Sequence, residues 1–191
     1  MGFAVAERLA DLGAKVVLVA GPVTIQCRNK NIVRIDVISA REMYTECLHY
    51  FSGCNGAIMV AAVADYAPVI IDNQKIKRTS ANYLLELQPN PDIAASLGKI
   101  KRKDQVLVGF ALETNDEEQN ALVKLQKKNL DFIVLNSLND SQSGFRYDTN
   151  RIKIIDKSGE VTSFELKQKG EVAVDIVNKL IDTEHSVSGL V

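Results

Sequence analysis

Apolar residues along this chain follow two alternating rhythms. Phe3, Val5, Ala6, Leu9 and Ala10 recur at helical spacing and Gly13 follows as a stop, which predicts a helix over 3–12. Lys15–Ala20 is a short valine-rich run, the signature of a buried strand. The pattern then predicts a strand at Ile32–Val37, a helix at Ala40–Phe51 and a central parallel strand over the continuously apolar Gly56–Ala64. Pro91, following Asn90, suits the first position of a helix reaching Ile100. Val106–Phe110 reads as a strand. Asp116–Asn129 reads as a helix whose leading acids and trailing lysines match its dipole. Phe132–Leu135 is a further strand, and Arg151–Asp156 and Val161–Leu166 flank a Lys157-Ser158-Gly159-Glu160 hairpin signal. A helix over Gly170–Leu180 closes the pattern, with Thr183–Val191 as a frayed tail.

Strands alternating with helices predict an α/β domain over 1–183: a Rossmann-like, doubly wound, mostly parallel sheet with helices on both faces and an added antiparallel hairpin. Such folds open on a strand, a glycine-rich turn and then a helix, whereas this chain opens on the helix. The expectation is a domain lacking its first strand and phosphate-cradling loop, with residues 184–191 as a disordered tail.

Composition narrows the function. At 191 residues the chain is long enough for a real core, and its formal net charge of −1 excludes bulk attraction to nucleic acid or anionic membranes. No apolar run approaches the roughly 18 residues of a membrane span. Residues 1–10 lack the basic lead of a signal peptide. The three cysteines lack metal-ligand spacing and fit a reducing cytoplasm. Only two histidines are present, which argues against a zinc site or a histidine-centred triad.

Five places can carry chemistry. Ala61-Ala62-Val63-Ala64-Asp65-Tyr66 closes the most apolar strand, where open α/β sheets bind ligands; small side chains admit a ligand, and Asp65 suits a ribose, a base or a metal-bound water. A core strand ended by a solvated acid accounts for the run equally well. Lys75-Ile76-Lys77-Arg78 forms a cation cluster in a loop, able to close over phosphates or to stand as solvated surface. Lys124 and Lys128 lie four apart on one helix face, where they reach the sheet edge or simply complement the helix C-terminus. In Val108–Thr114, Gly109 permits close backbone approach and Phe110 can stack on a base or fill the core. Asn90-Pro91-Asp92-Ile93 opens a helix whose N-terminus suits an anion or an ordinary cap.

The order of these motifs resembles phosphopantothenoylcysteine synthetase (phosphopantothenate–cysteine ligase), which in bacteria is usually fused behind a flavin-dependent decarboxylase domain. The resemblance runs through Met1–Ala4, Leu18–Val23, Ala61–Tyr66, Lys75–Arg78, Asn90–Ile93, Gly109–Thr114, Asn129–Asp131, Gly144-Phe145 and Asp148–Asn150. It implies ligation of 4′-phosphopantothenate to L-cysteine through a CTP-derived acyl-cytidylate with Mg2+, in a cytoplasmic homodimer. It also implies that Ala61, Asp65, Phe110, Lys124 and Lys128 hold the nucleotide, with Pro91, Asp92, Ile93 and Ala94 near base or ribose. Lys75 would close over the site and stabilise anionic intermediates, and Asn136 would sit near the substrate. The family usually carries lysine where Arg78 stands. It also has, upstream of the position of Met1, a strand, a double-glycine turn and an asparagine-serine-glycine loop. Two other readings stay open: a nucleotide-binding fragment that dimerises without turnover, and a dinucleotide-dependent oxidoreductase. Against the latter, no Gly-x-Gly-x-x-Gly stands between a strand and a helix.

Overall fold

The structure, a computed structural model, describes residues 1–72, 74–78, 82–113, 116–137 and 147–188. Thr114 and Gly144-Phe145, quoted above, lie outside the described residues, as do residues 189–191 of the expected tail. In chain order the elements are α1 (Gly2–Asp11), β1 (Val16–Ala20), β2 (Ile32–Asp36), α2 (Ala40–Phe51), β3 (Gly56–Met59), β4 (Tyr66–Pro68), β5 (Leu87–Pro89) and α3 (Ile93–Ile100). They continue with β6 (Val106–Glu113), α4 (Glu117–Lys127), β7 (Phe132–Ser137), β8 (Thr149–Asn150), β9 (Ile152–Asp156), β10 (Val161–Ser163), β11 (Lys167–Gln168) and α5 (Lys169–Ser188).

The main sheet has the order β10-β9-β7-β6-β3; β3, β6 and β7 run parallel, and β9 and β10 add the antiparallel edge. Alternation along the strands divides the core in two. Val106, Val108, Phe132, Val134, Ile152 and Ile154 face α1 and α5, packing with Val5, Val172, Ala173 and Ile176. Leu107, Ala111, Ile133, Leu135 and Ile155 face the other way, against Met43 and Phe51 of α2, Ile93 and Leu97 of α3, and Ala121 and Leu125 of α4. Helices on both faces are what buries strands this apolar.

β1 and β2 form a separate parallel pair. Among the described residues, β1 and β3 each keep one edge without a ladder partner. Both are apolar, yet β3 and four of five residues of β1 are only half-buried, whereas Val106–Gly109 of β6 are fully buried. Core packing still ties the pair in: Val19 and Ile35 join Ala57 and Met59 in one cluster. Helix α1 lies against β1 and β2, and its first residue, Gly2, abuts Val60 just beyond β3.

Several expectations change. The run Gly56–Ala64 leaves its ladder at Met59, and Ala61 O accepts from Val63 N in a tight turn. The proline expected at the first helical position precedes the cap instead: Asp92 caps α3, its side chain accepting from Ala95 N at 2.9 Å. The closing helix runs past Leu180 to Ser188, through the start of the segment read as a tail. Two short antiparallel pairs, β4–β5 and β8–β11, were not expected from the pattern.

Candidate functional site

A pocket of about 190 Å3 opens at the carboxyl ends of β3 and β6. Its wall is built by three segments. The first is the irregular stretch after β3, which contributes Ala61, Val63, Ala64 and Asp65. Because the chain leaves the ladder at Met59, these residues fold over the sheet edge rather than continuing it. The second is the entry to α3, Asn90 to Ala94. The third is the end of β6 with the facing side of α4, which contributes Gly109, Phe110, Lys124 and Lys128. Leu130, Ile133 and Met59 form an apolar floor.

Asn90 staples the first two segments together. Its side-chain amide donates to Ala64 O at 2.8 Å, and its backbone N–H donates to Asp65 O at 2.8 Å. The same staple closes the root of an arm: β4 leaves directly after Asp65, and β5 returns directly before Asn90. Lys75, Lys77 and Arg78 stand exposed on the connection between these strands, outside the pocket wall.

Cations and acids alternate around the mouth. Lys128 Nζ lies 3.0 Å from Asp92 Oδ2, and Lys124 Nζ lies 2.5 Å from Glu113 Oε1. Burial alone would raise the Asp92 carboxyl, but the Ala95 N–H and the Lys128 ammonium outweigh it and hold the group below its ordinary value. Asp92 is therefore ionised at neutral pH. Asp65 presents an exposed carboxylate at the rim. Close helix packing supports the arrangement. A Cβ on Gly98 of α3 would sit 1.9 Å from Lys128 O, so glycine there lets α3 approach the end of α4 and brings Asp92 to Lys128. Asn129, in the left-handed region at φ 52°, closes the contact by donating to Gly98 O at 2.9 Å.

Of the residues singled out in the sequence, Ala61, Asp65, Pro91, Asp92, Ile93, Ala94, Phe110, Lys124 and Lys128 all line this one pocket. Lys75 and Asn136 do not. Asn136 lies in β7, paired in register with Leu112 and Ile152. Two details of the site were not anticipated from the sequence: the double hydrogen bond of Asn90 and the Glu113 partner of Lys124. The acid that follows Gly109–Leu112 at the strand end was the available signal for the second.

With this geometry in hand, comparison with known proteins decides the family. The model of the DNA/pantothenate metabolism flavoprotein C-terminal domain matches residues 1–183. The chain belongs to that family. A relative named cysteine/cysteine sulfinic acid decarboxylase, from an unknown prokaryotic organism, is 53% identical over 185 residues, covering 97% of this chain and 52% of its own length. The coenzyme A biosynthesis bifunctional protein CoaBC of Haemophilus influenzae is 40% identical over 188 residues, covering 95% and 45%. This member of the DNA/pantothenate metabolism flavoprotein family thus spans about half the length of these curated relatives. The crystal structure of the C-terminal domain of a CoaBC protein matches with a TM-score of 0.80 at 32% identity, over 98% of this chain and 82% of the other. The α/β, Rossmann-like architecture is shared with that domain.

Proposed function

We propose that this chain is the ligase portion of a coenzyme A biosynthesis enzyme, joining 4′-phosphopantothenate to L-cysteine at the expense of CTP. The observation that carries the reading is the convergence on one pocket of Asp65, Phe110, Lys124 and Lys128 in a chain of this family. A carboxylate oxygen leaves poorly, so the acid must first be activated. The carboxylate of 4′-phosphopantothenate attacks the α-phosphorus of CTP, expelling pyrophosphate and forming the acyl-cytidylate. The cysteine amino nitrogen then attacks the acyl carbon, forming the amide and releasing CMP.

The pocket is smaller than the roughly 300 Å3 at the low end for small-molecule sites, so a nucleotide extends from its mouth toward Lys124 and Lys128. Base and ribose take the apolar interior beside Phe110 and the α3 entry, and Asp65 takes a ribose hydroxyl or a metal-bound water. Lys75, carried on the arm, closes over the phosphates. Magnesium accompanies the triphosphate. Among the described residues no group of three metal-ligating side chains is assembled. A magnesium that keeps its waters and rides on phosphates needs only one or two carboxylates, and Asp65 suits that part. The ion would draw charge from the departing pyrophosphate.

A homodimer belongs to the same proposal. Ile70, Ile71, Tyr83 and Leu84 of the arm are each two-thirds or more exposed, and an isolated two-stranded hairpin is marginal in water. Pairing of two arms would cover them. Light scattering should give twice the chain mass, and Leu84→Asp with Ile70→Asp should return the monomer; a variant that stays dimeric refutes the arm as the interface, and a monomeric wild type refutes the dimer.

The deciding assay measures pyrophosphate from 4′-phosphopantothenate, L-cysteine, magnesium and either CTP or ATP, using the full-length protein. Pyrophosphate with CTP and its loss in Lys75→Gln support the reading. Wild-type turnover in Lys75→Gln removes the role given to that lysine, and no pyrophosphate with either nucleotide refutes the ligase. A second reading comes from the 53%-identical relative, whose name describes decarboxylation of cysteine or cysteine sulfinic acid. Carbon dioxide from either amino acid alone, without nucleotide, would favour it.

A further inference from the structure

Each lysine at the pocket mouth is held by a carboxylate from another element, and the two carboxylates differ in what else they do. Asp92 lines the pocket and caps α3. Glu113 does neither: it stands outside the pocket wall, with its side chain 14% exposed against 44% for Lys124. It is the last residue of β6, held in register opposite Ser137, and it shares the face of the sheet that Ala111 turns toward α4. A laddered strand end therefore holds the tip of a long, flexible side chain.

A lysine ammonium carries three donors and no acceptor. Glu113 takes one and leaves the others for the pocket. An unanchored lysine loses its rotamer freedom when a ligand orders it; one already anchored has lost it beforehand. Charge alone works the other way, because a carboxylate this close repels an anionic ligand. The two effects predict opposite signs when the charge is removed, which makes the role testable.

We propose that Glu113 is a positioning residue for phosphate recognition: it fixes the Lys124 ammonium at the pocket mouth, where the ligand's phosphates rather than its base or sugar are read. This rests on the nucleotide reading above. The test is calorimetric titration of the full-length protein with CTP and with cytidine, in the absence of the other substrates. Glu113→Gln should weaken CTP by about 3- to 10-fold, the range for one immobilised long side chain, and leave cytidine unchanged. Lys124→Gln should show the same ligand dependence. The double variant should bind CTP no worse than Lys124→Gln alone, because Glu113 acts only through that lysine. Glu113→Asp keeps the charge but shortens the reach, so it too should weaken CTP.

Four results would overturn the role: CTP binding by Glu113→Gln at or above wild-type affinity, equal losses for CTP and cytidine, losses that multiply in the double variant, or wild-type CTP affinity in Glu113→Asp. Each would leave the nucleotide reading standing. Failure of the wild-type protein to bind CTP at all would overturn that reading and this one with it.

Discussion

Replacing Asp131 with asparagine tests how the end of the sheet opposite the pocket is held. Asp131 precedes β7, and its side chain is 4% exposed. Its carboxylate accepts from Leu107 N at 2.6 Å, Lys101 Nζ at 2.7 Å and Lys157 Nζ at 2.6 Å. The two lysines are not equivalent. Lys101 is 6% exposed and Lys157 is 53% exposed. Burial lowers the Lys101 ammonium below its ordinary value even beside Asp131, so this cation depends on its counter-charge. Asparagine can still accept from Leu107, but it removes the charge and turns an amide donor toward a lysine. Breaking a buried pair by removing one partner costs about 3–5 kcal/mol. Domains of this kind have about 5–15 kcal/mol in total. Lys157→Ala removes only a half-exposed partner and should cost about 1 kcal/mol or less. Lys101→Met together with Asp131→Asn should recover part of the loss, since no buried charge is then stranded. Urea unfolding monitored by circular dichroism reads all four proteins, with equal slopes confirming a common unfolded state. A loss below about 1 kcal/mol for Asp131→Asn, or an equal loss for Lys157→Ala, would refute the reasoning.

Three further outcomes are expected. Gly98→Val must push α3 away from the Lys128 carbonyl 1.9 Å from its Cβ, so thermal melting should show a loss of about 1–3 kcal/mol or more; a melt matching wild type would refute the close approach. The Asp156 carboxyl is pushed up by burial but held below its ordinary value overall by the Ser158 hydroxyl and Lys179. A depressed carboxyl contributes stability that is fully present above its unfolded value, about 3.9, and lost as pH falls through its folded value. Asp156→Asn should therefore flatten the acid side of the stability profile below about pH 4, and an unchanged slope there would contradict the sign. Burial, and then Glu46, push the Cys47 thiol up to about 11; its alkylation at pH 8 should run on the order of 100-fold slower than that of a free thiol, and a rate matching a free thiol would refute that shift.

The regular core was legible in the sequence because its strands are short, apolar and flanked by helices of clear period. Phe132–Leu135 and Val106–Phe110 were located from composition alone and lie side by side in the sheet. The pocket residues were legible because strand ends and helix starts converge at one edge of such a sheet. Other features were hidden for physical reasons. Apolar character reports burial rather than hydrogen bonding, so Gly56–Ala64 read as one strand although Ala61–Ala64 leave the ladder to wall the pocket. β4 and β5 were missed because they are three residues each, largely exposed, and carry Pro68 and Pro89. The partners of Lys101, Lys124 and Asn90 lie 30, 11 and 26 residues away, and no local pattern announces such pairs.

The division of the sheet bears on how the molecule opens. β6 and β7 are laddered on both sides and covered on both faces, so their amides should exchange with solvent only through global unfolding. The β1–β2 pair is held by its own short ladder and by helix packing, so its amides should exchange earlier, through a partial opening that leaves the rest intact. Among the described residues, β1 and β3 each keep one edge without a ladder partner. Two such edges in one molecule are sites where an extended segment can add itself, so deuterium uptake along Val16–Ala20 should slow when the protein meets a peptide able to pair there.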